Sequence, residues 1–168
     1  RKYQVISDII LAFAPIKQDR LRFLIEKCTE LGVDKFIPVI TEKTTTRNVH
    51  LTKLNMYAMA AAEQSERLSV PMICDVVSLK SFLQTYSNYK IIFCSERSDV
   101  DFIHKALENF LSSEKLIILI GPEGGFSSTE SKYLIDHKNI YPVSLGENIL
   151  RAETAAIFAL SCYIISHK

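Results

Sequence analysis

Two runs in this chain, KIIFC at 90–94 and KLIILI at 115–120, are apolar at nearly every position. A strand with one face in water alternates polar and apolar residues. An unbroken apolar run belongs to a strand covered on both faces, as in parallel sheets flanked by helices. Further strand-like segments occupy 6–16, 35–40, 72–76 and 140–145. Between them the period changes: Leu21, Leu24, Ile25, Cys28 and Leu31 recur at helical spacing over 18–31, and Gly32 stands where a helix can end in a left-handed turn. Helices are also predicted over 54–68, rich in Ala and Met, over 100–111, from the Ser127-x-x-Glu130 capping box to about 137, and over 152–166. Alternating strands and helices predict an α/β fold with a mainly parallel sheet and helices on both faces.

At 168 residues the chain is the size of one domain. With 48% hydrophobic and 23% charged residues it is neither disordered nor a disulfide-rich scaffold. Lys and Arg total 20 against 19 Asp and Glu, so no global field marks a protein that coats nucleic acid or membrane. Any RNA contact must be local. Cys28, Cys74, Cys94 and Cys162 form no CxxC or Cys/His cluster, so no metal site is signalled and reduced thiols in a cytoplasmic protein are expected. The apolar stretch 155–165 is shorter than the ~20 residues that span a bilayer. The chain starts at Arg1, without Met, directly before a strand-like run, and a missing N-terminal part is expected.

Two segments carry the chemistry. Ile120-Gly121-Pro122-Glu123-Gly124-Gly125-Phe126-Ser127 closes a buried strand and opens a helix. It fits neither the P-loop, which needs Lys where Ser127 stands, nor the dinucleotide fingerprint, which needs Gly at Glu123 and Phe126. Ser144-Leu145-Gly146-Glu147-Asn148-Ile149-Leu150-Arg151-Ala152-Glu153-Thr154 again takes a strand through a glycine loop into a helix. Two such loops belong side by side at the C-terminal edge of a parallel sheet, where ligands bind. Arg151 and Glu153 interrupt an apolar passage, so they face a cavity or form an internal pair that caps the last helix. Glu63 and Arg67 are four apart, the spacing of a surface ion pair. The stretch 41–53 carries Lys43, Arg47, His50 and Lys53 against Glu42 and is expected to be a basic loop. The last helix is apolar on all sides, so it is expected to pack on its own sheet and on a second subunit.

Together with Glu26-Lys27-Cys28-Thr29-Glu30-Leu31-Gly32-Val33, Ile37-Pro38, Thr41-Glu42 and Glu63-Gln64, these segments resemble the RsmE family of the SPOUT superfamily, the uridine-N3 methyltransferases of small-subunit ribosomal RNA. The resemblance covers about 20–156. It implies a C-terminal trefoil knot, a homodimer through the last helix and knot region, and S-adenosylmethionine as methyl donor. It places Ile120, Gly121, Gly125, Leu145, Gly146, Ile149 and Leu150 around the donor, with the Thr154 hydroxyl. A PUA-like N-terminal barrel, usual in the family, is expected to be absent from this chain.

For the reaction, the resemblance implies no metal and a positioning task. The base must be unpaired or flipped, its N3 proton must leave, and a cation beside O2 or O4 stabilises the anion that forms. Arg151 is assigned as that cation or as the anchor of the target phosphate, oriented by Glu63 or Glu153. Glu123 is a weaker choice of proton acceptor. Arg47 and Arg67 are assigned to the RNA backbone. Two alternatives stay open, a SPOUT enzyme acting on another RNA nucleotide and a non-catalytic RNA-binding assembly module.

Overall fold

The unbroken apolar runs are strands buried on both faces. A computed structural model of the chain describes residues 9–95, 99–111 and 114–167. In chain order the elements are β1 Ile10–Phe13, α1 Gln18–Glu30, β2 Lys35–Ile40, α2 Leu51–Gln64, β3 Met72–Ile73, β4 Val77–Ser78, α3 Leu79–Thr85, β5 Lys90–Cys94, α4 Ile103–Leu107, β6 Leu116–Ile120, α5 Ser128–Asp136, β7 Ile140–Val143 and α6 Ala152–Ser166. The sheet order is β3-β2-β1-β6-β5-β7, β4 also pairing with β2, and every pair is parallel. The expected α/β architecture is present. One face packs α1, α2, α4 and α6 on Leu11, Phe13, Ile92, Ile118 and Ile120. The other packs α3 and α5 on Ile10, Ala12, Ile91, Ile117 and Leu119. Alternate residues of each strand thus enter opposite cores.

Parallel pairing in register puts the strand ends at one level: Phe13 lies opposite Ile120, and Cys94 opposite Val143. The loops after β1, β2, β5, β6 and β7 therefore leave from one edge. The chain also reverses direction across the sheet there, since β6 lies on one side of β5 and β7 on the other. That is where a crevice opens in sheets of this kind.

Local chemistry explains where element ends match the expectation and where they move. Helix α1 ends as predicted, with Gly32 at φ +98° and Val33 N donating to Cys28 O at 3.1 Å. Helix α2 is shifted from the expected 54–68. It starts at Leu51, and it ends early because Glu66, at φ 55°, takes the left-handed position usually given to glycine while Arg67 N closes on Ala62 O at 2.9 Å. The expected strand 72–76 shortens to β3, Met72–Ile73, and a second short strand, β4, follows at Val77–Ser78, where Ser78 caps the unanticipated α3 by accepting from Ser81 N. The expected helix over 100–111 shrinks to Ile103–Leu107, because Asp101 and Phe102 pair with the end of the sheet through Ser144 N to Asp101 O at 2.9 Å. Of the first predicted strand, residues 9–16 are described and 6–8 lie outside the described residues.

Helix α6 matches its predicted span. Ala155, Ala156, Ala159, Leu160 and Tyr163 are buried against the sheet and its helices, whereas Ile157, Phe158, Cys162 and Ile164 are half-buried and Ile165 is exposed. Among the described residues no helix is long and apolar enough to cross a membrane.

Candidate active site

The two glycine-bearing segments, 24 residues apart in sequence from Gly121 to Leu145, meet in space. Ile120 and Gly121 from the end of β6, and Leu145, Gly146, Ile149 and Leu150 from the loop after β7, wall a narrow crevice of about 30 Å³. Cys94 and Ser95 at the end of β5, Asn148, and Ala152 and Ala155 on α6 complete it. An adjoining outer cleft of about 660 Å³ is walled by the glycine loop 121–126 together with Lys43, Phe93, Ser128, Ser131 and Ile135. Cys94, Ser95, Gly121 and Ile149 line both spaces.

The glycines serve distinct ends. At Gly121 a Cβ would lie 2.6 Å from the Phe126 ring, so its bareness lets Phe126 fold back and set its edge on Phe93 at 5.0 Å between centroids. Gly125 and Gly146 hold φ +66° and +122°, which other residues rarely adopt. The loop is a tight turn, Gly125 N donating to Pro122 O at 2.9 Å.

Three polar contacts fix this turn from outside. Arg20 Nη2 on α1 donates to Glu123 Oε1 at 2.7 Å. Lys43 Nζ donates to Gly124 O at 3.3 Å. Glu130, buried in the first turn of α5, accepts from Ser127 N at 3.0 Å through Oε2 and from Glu42 N at 2.9 Å through Oε1. The predicted capping box thus also clamps the loop after β2.

The remaining predicted site residues are dispersed. Gly125 lines the outer cleft; Thr154 is exposed on α6 and lines neither space. Arg151, at the N-cap of α6, is exposed; its carbonyl accepts from Ala155 N at 2.8 Å, and its side chain has no hydrogen-bond or ion-pair partner among the described residues. The internal Arg151–Glu153 pair is therefore not formed, and Glu153 is buried with its Oε2 unpaired. Glu63 is exposed at the end of α2 and makes no pair with Arg67. Arg67 instead donates to Thr29 O and Val33 O, both at 2.7 Å, and to Asp34 Oδ1 at 3.0 Å, filling carbonyls left open at the end of α1. Arg47 is exposed and braces its own loop, donating to Thr41 O and Glu42 O at 3.3 Å.

Cys94, Ser95 and Lys43 are site residues the motifs did not mark. The first two follow the apolar run KIIFC, and the rule that ligands gather at strand ends points to them. Burial pushes the Cys94 thiol up to about 12, with Cys162 adding to it, so it is a neutral wall and no nucleophile.

With this geometry in place, relatives can be compared. Residues 4–164 match the family of RNA methyltransferase domains. The chain belongs to that family. It is 39% identical over 155 residues to the ribosomal RNA small subunit methyltransferase E of Rickettsia conorii, an alignment covering 92% of this chain and 63% of the relative. To the protein of the same name from Bacillus subtilis it is 35% identical over 159 residues, covering 86% and 60%. The chain thus spans less than two thirds of the length of these curated relatives. The crystal structure of the methyltransferase E of Neisseria gonorrhoeae, bound to S-adenosyl methionine, superposes with a TM-score of 0.81 at 28% identity, covering 92% of this chain and 64% of that one. The motif resemblance to RsmE proteins and the comparisons agree.

Proposed function

We propose that this chain carries the catalytic domain of an enzyme that transfers a methyl group from S-adenosylmethionine to N3 of a uridine in 16S ribosomal RNA. The observation that carries this reading is the convergence of the loops after β5, β6 and β7 on one crevice. Its similarity to proteins named for small-subunit ribosomal RNA methylation supplies the substrate class.

The walls fit the donor. They are mostly apolar side chains and glycine main chain, with Ser95 and Asn148 as the polar side chains and no carboxylate, which suits adenosine and a poorly hydrated sulfonium. Ile149, beside the crevice, leaves 62% of its surface exposed, apolar area that a bound ligand covers. Ile120, Gly121, Leu145, Gly146, Ile149 and Leu150 are the residues to hold the donor, with Gly125 shaping the turn beside it. When bound, the donor supplies an electrophilic methyl carbon. What the chain supplies is placement: the acceptor nitrogen must meet that carbon in line, at contact distance, with water excluded.

N3 lies on the pairing edge of uracil, so the base must enter unpaired or flipped. Arg151, whose exposed side chain has no partner among the described residues, is our choice to anchor the target phosphate, and Arg47 to meet the RNA backbone. The half-buried apolar residues of α6 support a homodimer through that helix, and the family likeness supports a knotted C-terminus and a cytoplasmic site of action.

The test is to incubate the full-length protein with small ribosomal subunits and methyl-labelled donor, then map the product base by mass spectrometry. N3-methyluridine supports the reading; label on another base, or none, overturns it.

A further inference from the structure

Building on the proposed uridine methylation, we infer that the outer cleft receives the target base and that Lys43 is the catalytic cation facing its carbonyl oxygens. Cleft and crevice share walls at Cys94, Ser95, Gly121 and Ile149. A base in the one therefore lies next to a donor in the other, and direct transfer demands such adjacency. At about 660 Å³ the cleft has the volume of a small-molecule site. Phe93, Phe126 and Ile149 offer apolar surface to a base, and Ser128 and Ser131 offer hydroxyls to its edge.

The charge balance singles out one residue. Among the described residues lining the cleft, Lys43 is the only cation and Glu123 the only carboxylate, and Glu123 is occupied by Arg20 at 2.7 Å. Arg151 lines neither space.

The backbone turn that carries Lys43 is held in place before any substrate arrives, while its side chain is exposed. Its turn is closed by buried Thr41 and Thr44, Thr41 N donating to Thr44 Oγ1 at 2.9 Å. The next anchor is Glu130, whose carboxylate accepts from Glu42 N and from Ser127 N. One buried carboxylate thereby ties the lysine turn to the start of α5, which carries the two serines of the cleft. The Lys43 Nζ contact to Gly124 O is long, at 3.3 Å, and a substrate oxygen can replace it.

The chemistry needs such a group. The N3–H proton passes to water, the nitrogen's electron pair forms the bond to the methyl carbon, and the carbon–sulfur pair stays on sulfur, leaving a neutral thioether. As the proton leaves, negative charge spreads to O2 and O4 of the ring. A fixed ammonium beside either oxygen lowers the barrier most where water is excluded.

The experiment compares wild type, Lys43→Met and Lys43→Arg, as full-length proteins, on small ribosomal subunits between pH 6.5 and 9.5. Three readouts are taken: kcat with labelled donor, subunit affinity without donor, and donor affinity by calorimetry. Lys43→Met is expected to lower kcat about a hundredfold at neutral pH. Both affinities should stay within twofold, the deficit should shrink as alkali removes the proton, and Lys43→Arg should restore most of the rate. An unchanged kcat, a loss confined to subunit affinity, or a deficit independent of pH overturns the assignment of Lys43. Wild-type protein that places no methyl on uridine N3 overturns the proposed function itself.

Discussion

Arg20 and Glu123 stand 103 positions apart in sequence and form a 2.7 Å ion pair that ties helix α1 to the glycine loop. Glu123 is thereby engaged in shaping the loop. Both side chains keep over a quarter of their surface exposed, so the pair is worth about 0.2–1 kcal/mol. Glu123→Gln should lower Tm by only about 1–4 °C in a scanning experiment. Donor affinity should fall severalfold, because the turn loses an external anchor. A large loss of stability with unchanged donor affinity would show that the pair supports the fold and not the site.

Gly125 holds φ +66°. A β-branched residue is strained in that region, at a cost of about 1–2 kcal/mol, whereas asparagine tolerates it. Gly125→Val should therefore weaken donor binding in calorimetry by about 5–30-fold while the far-UV spectrum stays native, and Gly125→Asn should retain most of it. Equal behaviour of the two variants contradicts the role assigned to this backbone conformation.

Arg67 has its donors occupied by two carbonyls and a carboxylate at the α1–β2 junction. Truncation leaves part-buried acceptors open, and hydrogen bonds to a charged group contribute about 1.5–3 kcal/mol. Arg67→Met should lower the stability measured by urea unfolding by that order. RNA affinity, measured on the folded fraction, should be unchanged; a salt slope that drops by one would place Arg67 on the phosphate backbone instead.

Arg151 is the opposite case, its side chain exposed and without a partner among the described residues. Surface changes of this kind stay within about 0.5 kcal/mol. Arg151→Ala should fold as stably as wild type and bind donor normally, yet methylate poorly and bind small subunits more weakly. Unfolding of the variant contradicts this assignment.

The buried thiols give a pH dependence. The folded-state value of Cys94 is raised to about 12 by burial, above the ordinary value near 9, and burial likewise raises Cys28. The folded state then retains protons that the unfolded state releases, so this contribution is complete below pH 9 and is lost as pH rises towards 12. Urea midpoints should fall across that window. At pH 8, iodoacetamide should label half-buried Cys74 well before Cys28 and Cys94.

Most of the sheet was legible because both-face burial leaves a strong trace: 35–40 and 90–94 are strands to the residue, and 152–166 is a helix to the residue. Glycine-marked ends were legible as well. The end of α2 was not, since glutamate takes the left-handed position there, and α3 was hidden behind a short strand and a single serine cap. In the site, the two glycine segments named most of the crevice. Lys43 escaped because its place depends on Glu130, 87 positions away in sequence, and no local pattern reports that link. Glu63 and Arg67 misled for the converse reason. Helical spacing predicts a pair only while the helix lasts, and α2 stops at Gln64.

The most direct test is a crystal structure of the protein grown with S-adenosylmethionine. The account predicts the donor between residues 120–121 and 145–150, with its methyl directed at the cleft that holds Lys43. Donor density at any other place, or a crevice still closed beside saturating ligand, would contradict it.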